Sequence, residues 1–437
     1  MPGCSFRCIS SLVYICSLGL VNMRCTLLPL LTSAVLVHAW LPDNPAPGAS
    51  LSAFTSSDTS KIRGVNAGSQ YIIEPWMAAD VWKNTLGCGD AQAERQCVQT
   101  TYNGDMDAAG AAWQKHWDSW ITQSDIQTMK SYGLNTIRIP VGFWMKEDLL
   151  NEYERFPKGG FNHLVKFCGW ASDAGMYIII DLHGMPGRQV ANNAFTGDYE
   201  STTGFYQSDY ESGRAYEFLS WIANQTHSNS AFRNVGALEL VNEPKREDSG
   251  DTQWMVEHYY GSAIDAVREA EATLGVSDAA KLHLAVMDDL WESGPLPSTA
   301  LTSSQLSTLL YDDHNYQASP ITSCGGALTC ALSYTCSATV GQGNRVTSQT
   351  PKIVGEWALK LDQLGGQELA NKDFFKSYAA AQMDMYEREG LKGWVYWSWK
   401  VQANENFTDA LQWSYKDAVT AGIIGEDLNA MVAGSPC

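Results

Sequence analysis

Positive charge is scarce in this chain, and several common signals are missing altogether. Its 437 residues hold 29 lysines and arginines against 48 aspartates and glutamates, for a formal charge of −19. Such an acidic surface is a poor match for nucleic acid or anionic lipid. Charged residues make up only 18% and form no dense tract, while apolar residues reach 45%. A sizeable core can therefore form, and long disorder is not expected. No cysteines show the Cys-x-x-Cys spacing of a zinc site with histidines nearby. No Gly-x-Gly-x-x-Gly follows the first strand-like run, which counts against a dinucleotide-binding open sheet.

The N-terminus reads as an export signal spanning residues 1–39. Arg24 precedes the apolar stretch Thr26–Val37, and Val37-His38-Ala39 places small residues at the cleavage positions. That stretch is too short to span a bilayer. Upstream lies a second apolar stretch, Ile9–Val21, so translation beginning at Met23 is an open alternative. An uncleaved anchor is the rival reading, and Arg24, which splits the two runs, weighs against it. Without its first 39 residues, which carry Arg7 and Arg24 but no acid, the chain would have a charge of −21.

Seven cysteines follow Ala39: Cys88, Cys97, Cys168, Cys324, Cys330, Cys336 and Cys437. Disulfides in an exported protein account for them better than metal does. The odd one out is expected to be Cys168, which shares a helical face with Leu164 and Ala171, and Cys88 with Cys97 would staple one loop. Pairing among the last four stays open. Sequons at Asn224 and Asn406 also suit secretion. The 16 tryptophans and 19 tyrosines supply flat rings suited to the apolar faces of sugars, although most aromatics in any protein are simply core.

One unit is written repeatedly. Apolar residues recur at helical spacing between Trp117 and Tyr132, Gly133 stops the helix, and Leu134–Phe143 reads as a strand. Helix Asn162–Ala174, Gly175 and strand Met176–Leu182 repeat it. Helix Gln253–Leu274 with Gly275 and strand Leu282–Met287 form a third copy, and helix Lys372–Glu389 with Gly390 and strand Gly393–Trp399 a fourth. Ile62–Ala67, Ala237–Val241, Leu309–Asp312 and Lys352–Val354 bring the strands to eight. They are short and apolar, as buried parallel strands are. Eight strand–helix units predict a single (β/α)8 barrel, the catalytic domain being residues 40–437, with a doubly wound open sheet as the rival.

Polar residues punctuate the strand ends. Arg138 lies in Thr136-Ile-Arg-Ile-Pro140, His183 closes Ile180-Asp-Leu-His-Gly184, Asn242 and Glu243 follow the fourth strand, His314 and Tyr316 the sixth, Glu356 the seventh, and Trp397 the eighth. A barrel delivers all these ends to one rim, so Glu243 and Glu356 can meet despite their separation. Each has a plainer explanation: a glutamate after a strand is often a helix N-terminal charge, Arg138 could be a structural ion-pair partner, His183 a core histidine, and Trp397 one of three tryptophans crowding a strand. Asp312 and Asp313 are read as structural residues of the barrel rim.

Together these strings resemble glycoside hydrolase family five, the retaining (β/α)8 glycosidases, from about Lys61 to Ile424. The strings Arg63–Trp76, Gln114–Ile121, Ser131–Val141 and Trp394–Lys400 resemble the fungal-type exo-β-1,3-glucanases and, more closely, the secreted endo-β-1,6-glucanases. Gly68-Ser69-Gln70 is the departure that separates them, since the exo-β-1,3 enzymes usually carry Gly-Gly-Trp there. Phe167–Gly175 and Asn193–Gly197 also favour the β-1,6 group. The resemblance implies Glu356 as nucleophile and Glu243 as acid/base, with Glu243 raised in pKa and protonated at the start. It implies that Arg138 and Tyr316 steady Glu356, that Asn242 holds the sugar 2-hydroxyl, that His183 and His314 complete the lining, and that Trp397 lies beneath the sugar. It further implies a secreted monomer acting on β-glucan without metal or organic cofactor. The alternatives are an exo-β-1,3-glucanase and a non-catalytic glucan-binding protein. Ser319–Thr350 is expected to be a disulfide-tied loop beside the cleft.

Overall fold

The computed structural model describes residues 61–245, 249–287, 300–307, 309–317, 324, 328–338, 351–361, 371–388, 391–402 and 410–437. The export signal, Asn406, Gly390 and most of Ser319–Thr350 lie outside the described residues. Eight strands, β1 (Ile62–Asn66), β2 (Thr136–Gly142), β3 (Tyr177–Gly184), β4 (Val235–Glu239), β5 (His283–Val286), β6 (Leu309–His314), β7 (Lys352–Trp357) and β8 (Leu391–Tyr396), close in chain order into a barrel. Every neighbouring pair is parallel, including β1 with β8. The (β/α)8 expectation therefore holds, and the open sheet is excluded.

Local chemistry sets the helix limits. Helix α1 is Glu94–Thr101, α2 Met106–Trp117 and α3 Gln123–Ser131. The single helical pattern expected from Trp117 to Tyr132 is really two elements. Trp117 closes α2, and Thr122 starts α3 through a reciprocal capping box with Asp125. Helix α4 (Gly160–Asp173) and α5 (Asp209–Ser228) follow. The expected helix Gln253–Leu274 is the end of α6 (Ser249–Trp254), a π-helical turn Met255–Tyr259, and α7 (Tyr260–Thr273). Gly133, Gly175 and Gly275, just past α3, α4 and α7, all have φ near +70°, the left-handed stop that needs no Cβ.

Period-two alternation divides the barrel interior into layers. Ile62, Tyr177, Ile179, Ala237, Ala285, Leu310, Ile353 and Val395 form an apolar cluster of their own. Two residues further along the same faces stand Asp181, Glu239 and Asp312, all buried. A further step on β3 and β6 gives His183 and His314, at the C-terminal mouth.

Three disulfides join Cys88 to Cys97, Cys324 to Cys330 and Cys336 to Cys437, and Cys168 is free and buried. Asn224 and Thr226 lie within α5 rather than on a loop, and the Thr226 hydroxyl is turned inward to the Ile222 carbonyl. No helix among the described residues is long and apolar enough to cross a membrane.

Glu94 fastens α1 to the chain after β1. Its Oε1 accepts from the Ile73 amide and the Trp113 indole at 3.1 and 2.9 Å. Burial pushes this carboxyl up to about 8. The folded protein thus prefers Glu94 protonated: its stabilising contribution is complete below the ordinary carboxyl range and is lost as pH rises through 8. Glu94→Gln should gain stability over the parent by up to about 1.4 kcal/mol per pH unit across that window. Thermal melts of both proteins from pH 5 to 9 would show the curves diverging, and parallel curves would refute the assignment.

Candidate active site

Arg138 is the hub of the polar layer. It is fully buried, and its guanidinium donates to Glu239 (2.8 Å), Asn66 (2.9 Å), Glu356 (3.0 Å) and Asn242 (2.8 Å), with Asp181 at 3.0 Å. Burial alone would discharge it, but Asp181, Glu239, Glu356 and Asp312 hold its pKa well above the usual value. Burial also lifts Glu239 well above the carboxylate range despite Arg138. Asp312 belongs to this interior layer and not to the rim where the sequence placed it. Its Oδ1 accepts from the Gly355 amide at 2.6 Å, and a Cβ at Gly355 would lie 2.0 Å from Oδ2. Glycine is needed in the Gly-Glu-Trp motif because of that approach.

A register shift between β6 and β7 pairs Asp313 with Val354 and the next residue, His314, with Glu356. The extra residue re-aims the chain. Simple alternation from Ile353 would not turn Glu356 inward, and the bulge does. Its Oε1 then accepts from Arg138 and its Oε2 from the Tyr316 hydroxyl at 2.7 Å. Glu243 lies beyond the end of β4 with φ +39°, a strained backbone for a residue with a side chain and one that clusters at functional sites.

His314 stands between the two glutamates. Its Nδ1 is 2.7 Å from Glu243 Oε1 and 3.4 Å from Glu356 Oε2. One oxygen from each glutamate and one histidine nitrogen all lie within 4.8 Å of one another. Burial opposes charge on His314, but Glu356, Asp312 and Glu243 raise its pKa well above normal. The directions at the pair reverse the expectation that Glu243 starts protonated. Burial pushes Glu243 up, yet the hydrogen bond and charge of His314 outweigh it and hold this carboxyl below its usual range. Burial raises Glu356 against His314 and Arg138, aided by the charge on Glu243. Groups this close titrate as one unit.

The mouth encloses a cavity of about 590 Å³, lined among others by Glu74, Trp76, His183, Asn242, Glu243, Tyr316, Glu356, Trp397 and Trp413. Six of the eight residues expected at the site reach this surface. Arg138 and His314 do not line it but stand behind the glutamates. Trp397 lies just past β8 with its ring parallel to His183, whose Nδ1 is 2.6 Å from Asp181. Trp394 and Trp399 point into the core instead. Asn242 Nδ2 has no hydrogen-bond partner among the described residues.

Sequence reasoning missed Glu74, Trp413, Glu239 and the interior place of Asp181 and Asp312. The parity of the strands could have found the last three. Glu74 sits in a loop: its Oε2 accepts from the Trp76 indole at 2.8 Å, and burial pushes it up to about 7. The Gly68-Ser69-Gln70 departure is structural at this point. Gln70 bridges the Trp117 carbonyl and the Ile121 amide, and the Ser69 hydroxyl accepts from the Glu74 amide.

The model of the cellulase family, glycosyl hydrolase family 5, matches residues 97–403. The chain belongs to that family. Among the hydrolase's relatives, a glucan endo-1,6-beta-glucosidase B of Emericella nidulans is 43% identical, covering 94% of this chain and 99% of its own. A glucan 1,3-beta-glucosidase of Blumeria graminis is 24% identical over 87% and 90%. The hydrolase shares its fold with the crystal structure of rutinosidase from Aspergillus niger, with a TM-score of 0.66, 18% identity, and 84% and 98% coverage.

Proposed function

We propose that this chain is a secreted, retaining hydrolase of internal β-1,6 linkages in β-glucan, with Glu356 as nucleophile and Glu243 as general acid and base. The observation that carries the chemistry is the approach of one oxygen of each glutamate to within 4.8 Å at the mouth of one cavity, close enough for the short carboxyl spacing of retaining glycosidases, about 5–5.5 Å, and too close for the wider spacing of inverting ones. Glu356 attacks the anomeric carbon, the bond to the glycosidic oxygen breaks, and that oxygen takes a proton from Glu243. Water then gives its proton to Glu243 and attacks the same carbon, releasing Glu356. Asn242 Nδ2 supplies a free donor for the sugar 2-hydroxyl, and Trp397 a flat surface below the ring.

His314 Nδ1, 2.7 Å from Glu243 Oε1 and 3.4 Å from Glu356 Oε2, is placed to couple the protonation of the two carboxyls. No step calls for a metal or organic cofactor.

Linkage preference rests on the relative named for β-1,6 hydrolysis. The exo-β-1,3 reading retains support from the more distant relative. Secretion is supported by the three disulfides together with the leader pattern. A time course of products on linear β-1,6-glucan and on laminarin separates the readings. Early release of mixed gentio-oligosaccharides is expected from β-1,6-glucan. Glucose alone from laminarin, with β-1,6-glucan untouched, would overturn the assignment.

A further inference from the structure

The loop joining β3 to α5 has two faces. Asn192, Asn193, Phe195 and Tyr199 face the catalytic cavity. Gly187, Arg188, Asp198, Glu200, Thr202 and Gly204 of the same loop face a second cavity of about 320 Å³, completed by Arg95 and by Asn151, Tyr153, Glu154 and Glu211. We propose that this second cavity is a glucan-binding subsite, in which Tyr153 stacks on a sugar ring of a chain whose other part occupies the catalytic cleft. The ligand class, a neutral β-glucan segment, rests on the function proposed above.

Charge within the cavity is matched internally. Asp198 pairs with both Arg95 and Arg188, Glu200 with Arg95, and Arg214 holds Glu154 and Glu211 together. Three guanidiniums thus face four carboxylates, and burial raises Glu211 above its ordinary value. Little net charge remains to select an ion, whereas fixed donors and acceptors suit the hydroxyls of a neutral sugar. The mutual pairing also sets these groups in place beforehand, which lowers the ordering cost of binding.

Tyr153 supplies the apolar face. It is 75% exposed, the highest value among the large exposed apolar side chains described. Its phenol has no hydrogen-bond partner among the described residues, although its amide is fixed by Asn151 at 2.9 Å. A ring held out in water beside a polar cavity is the equipment for stacking on a sugar.

The loop between the cavities is fastened at both ends. Gln189 Nε2 bridges the carbonyls of His183 and Asn242 at 2.6 and 3.0 Å. On the other side Gln96 of α1 holds Asp198 and the backbone of Tyr199, and α1 is itself stapled by Cys88–Cys97. Arg188 and Asn192 have φ of +68° and +53°, strain of the kind retained where a surface has work to do. A rigid partition keeps the two cavities at a constant separation, so one polymer engaging both gains avidity that a short oligosaccharide cannot.

The test uses the full chain, inactivated by Glu356→Gln for binding and native at Glu356 for kinetics. Affinity electrophoresis through soluble β-1,6-glucan should retard the inactive protein. Adding Tyr153→Ala should weaken that retardation by about threefold or more, and Tyr153→Trp should restore it. In the active enzyme Tyr153→Ala should raise KM for the polymer by roughly 3–10-fold and leave kcat/KM for a gentio-tetrasaccharide within about twofold. Unchanged retardation with an unchanged polymer-to-tetrasaccharide ratio overturns the subsite. Equal losses on both substrates also overturn it, since the ring would then only support the loop. If the parent enzyme fails to cleave β-1,6-glucan, the linkage reading falls instead, and the same comparison in laminarin gels decides the subsite.

Discussion

Glu356→Gly will cleave β-glucan at a rate lower by on the order of 10⁴-fold or more, because the covalent route needs a nucleophile at that atom. Azide will restore turnover of an activated aryl β-glycoside, and the product will be the α-glycosyl azide. The reason lies in the geometry of the pair. Glu356 is fixed by Arg138 at 3.0 Å and Tyr316 at 2.7 Å, so removing its side chain leaves a space on that face of the sugar for a small anion. Glu243→Ala should give the opposite hand, since azide would then enter from the water side of an intact glycosyl–Glu356 intermediate and yield the β-azide. NMR of the two products distinguishes the roles. A β-azide from Glu356→Gly, or an unimpaired Glu356→Gly enzyme, would exchange or dismiss the assignments.

Arg138→Ala should be the most damaging substitution for the fold. It would strand Asp181, Glu239 and Glu356, all within 3.0 Å of the guanidinium and nearly or fully buried. Leaving such groups without their cation costs about 3–5 kcal/mol, an expected fall in Tm of roughly 5–10 °C. Arg138→Lys should recover only part of this, because one ammonium cannot reach partners spread around a planar fork. Activity should fall further than stability does, as Asn242 and Glu356 lose their common anchor. Melting by circular dichroism alongside kcat measurements checks both. A variant melting within about 2 °C of the parent would show that the cation does not hold this layer together.

Much of the barrel could be read from the residues, because each strand is a short apolar run and three of the four punctuating glycines fall within the described residues at left-handed φ. Boundaries were less legible. Trp397 was placed inside a strand that ends at Tyr396, since apolar patterning cannot tell a strand from the loop that continues its direction. The two glutamates were visible as strand-end motifs. The directions of their pKa shifts were not, because these depend on which carboxyl His314 approaches more closely, a distance that no spacing encodes. Glu239 and Asp312 were legible in principle: each is two residues along the inward face from an apolar interior residue, Ala237 and Leu310. Glu74 was not, because it hangs from a loop with no periodicity to place it.

The guanidinium of Arg138, on β2, reaches groups carried by five other barrel staves: Asn66 on β1, Asp181 on β3, Glu239 on β4, Asp312 on β6 and Glu356 on β7. Asn66 in turn donates to the carbonyls of Gly355 and Tyr396, tying in the eighth. The carboxyl pair is thereby welded to the closure of the cylinder, whereas the loop between β3 and α5 stands outside that hydrogen-bonded hub. Exchanging the segment between β3 and α5 for that of a relative should redirect where a glucan is cut without extinguishing the cut itself.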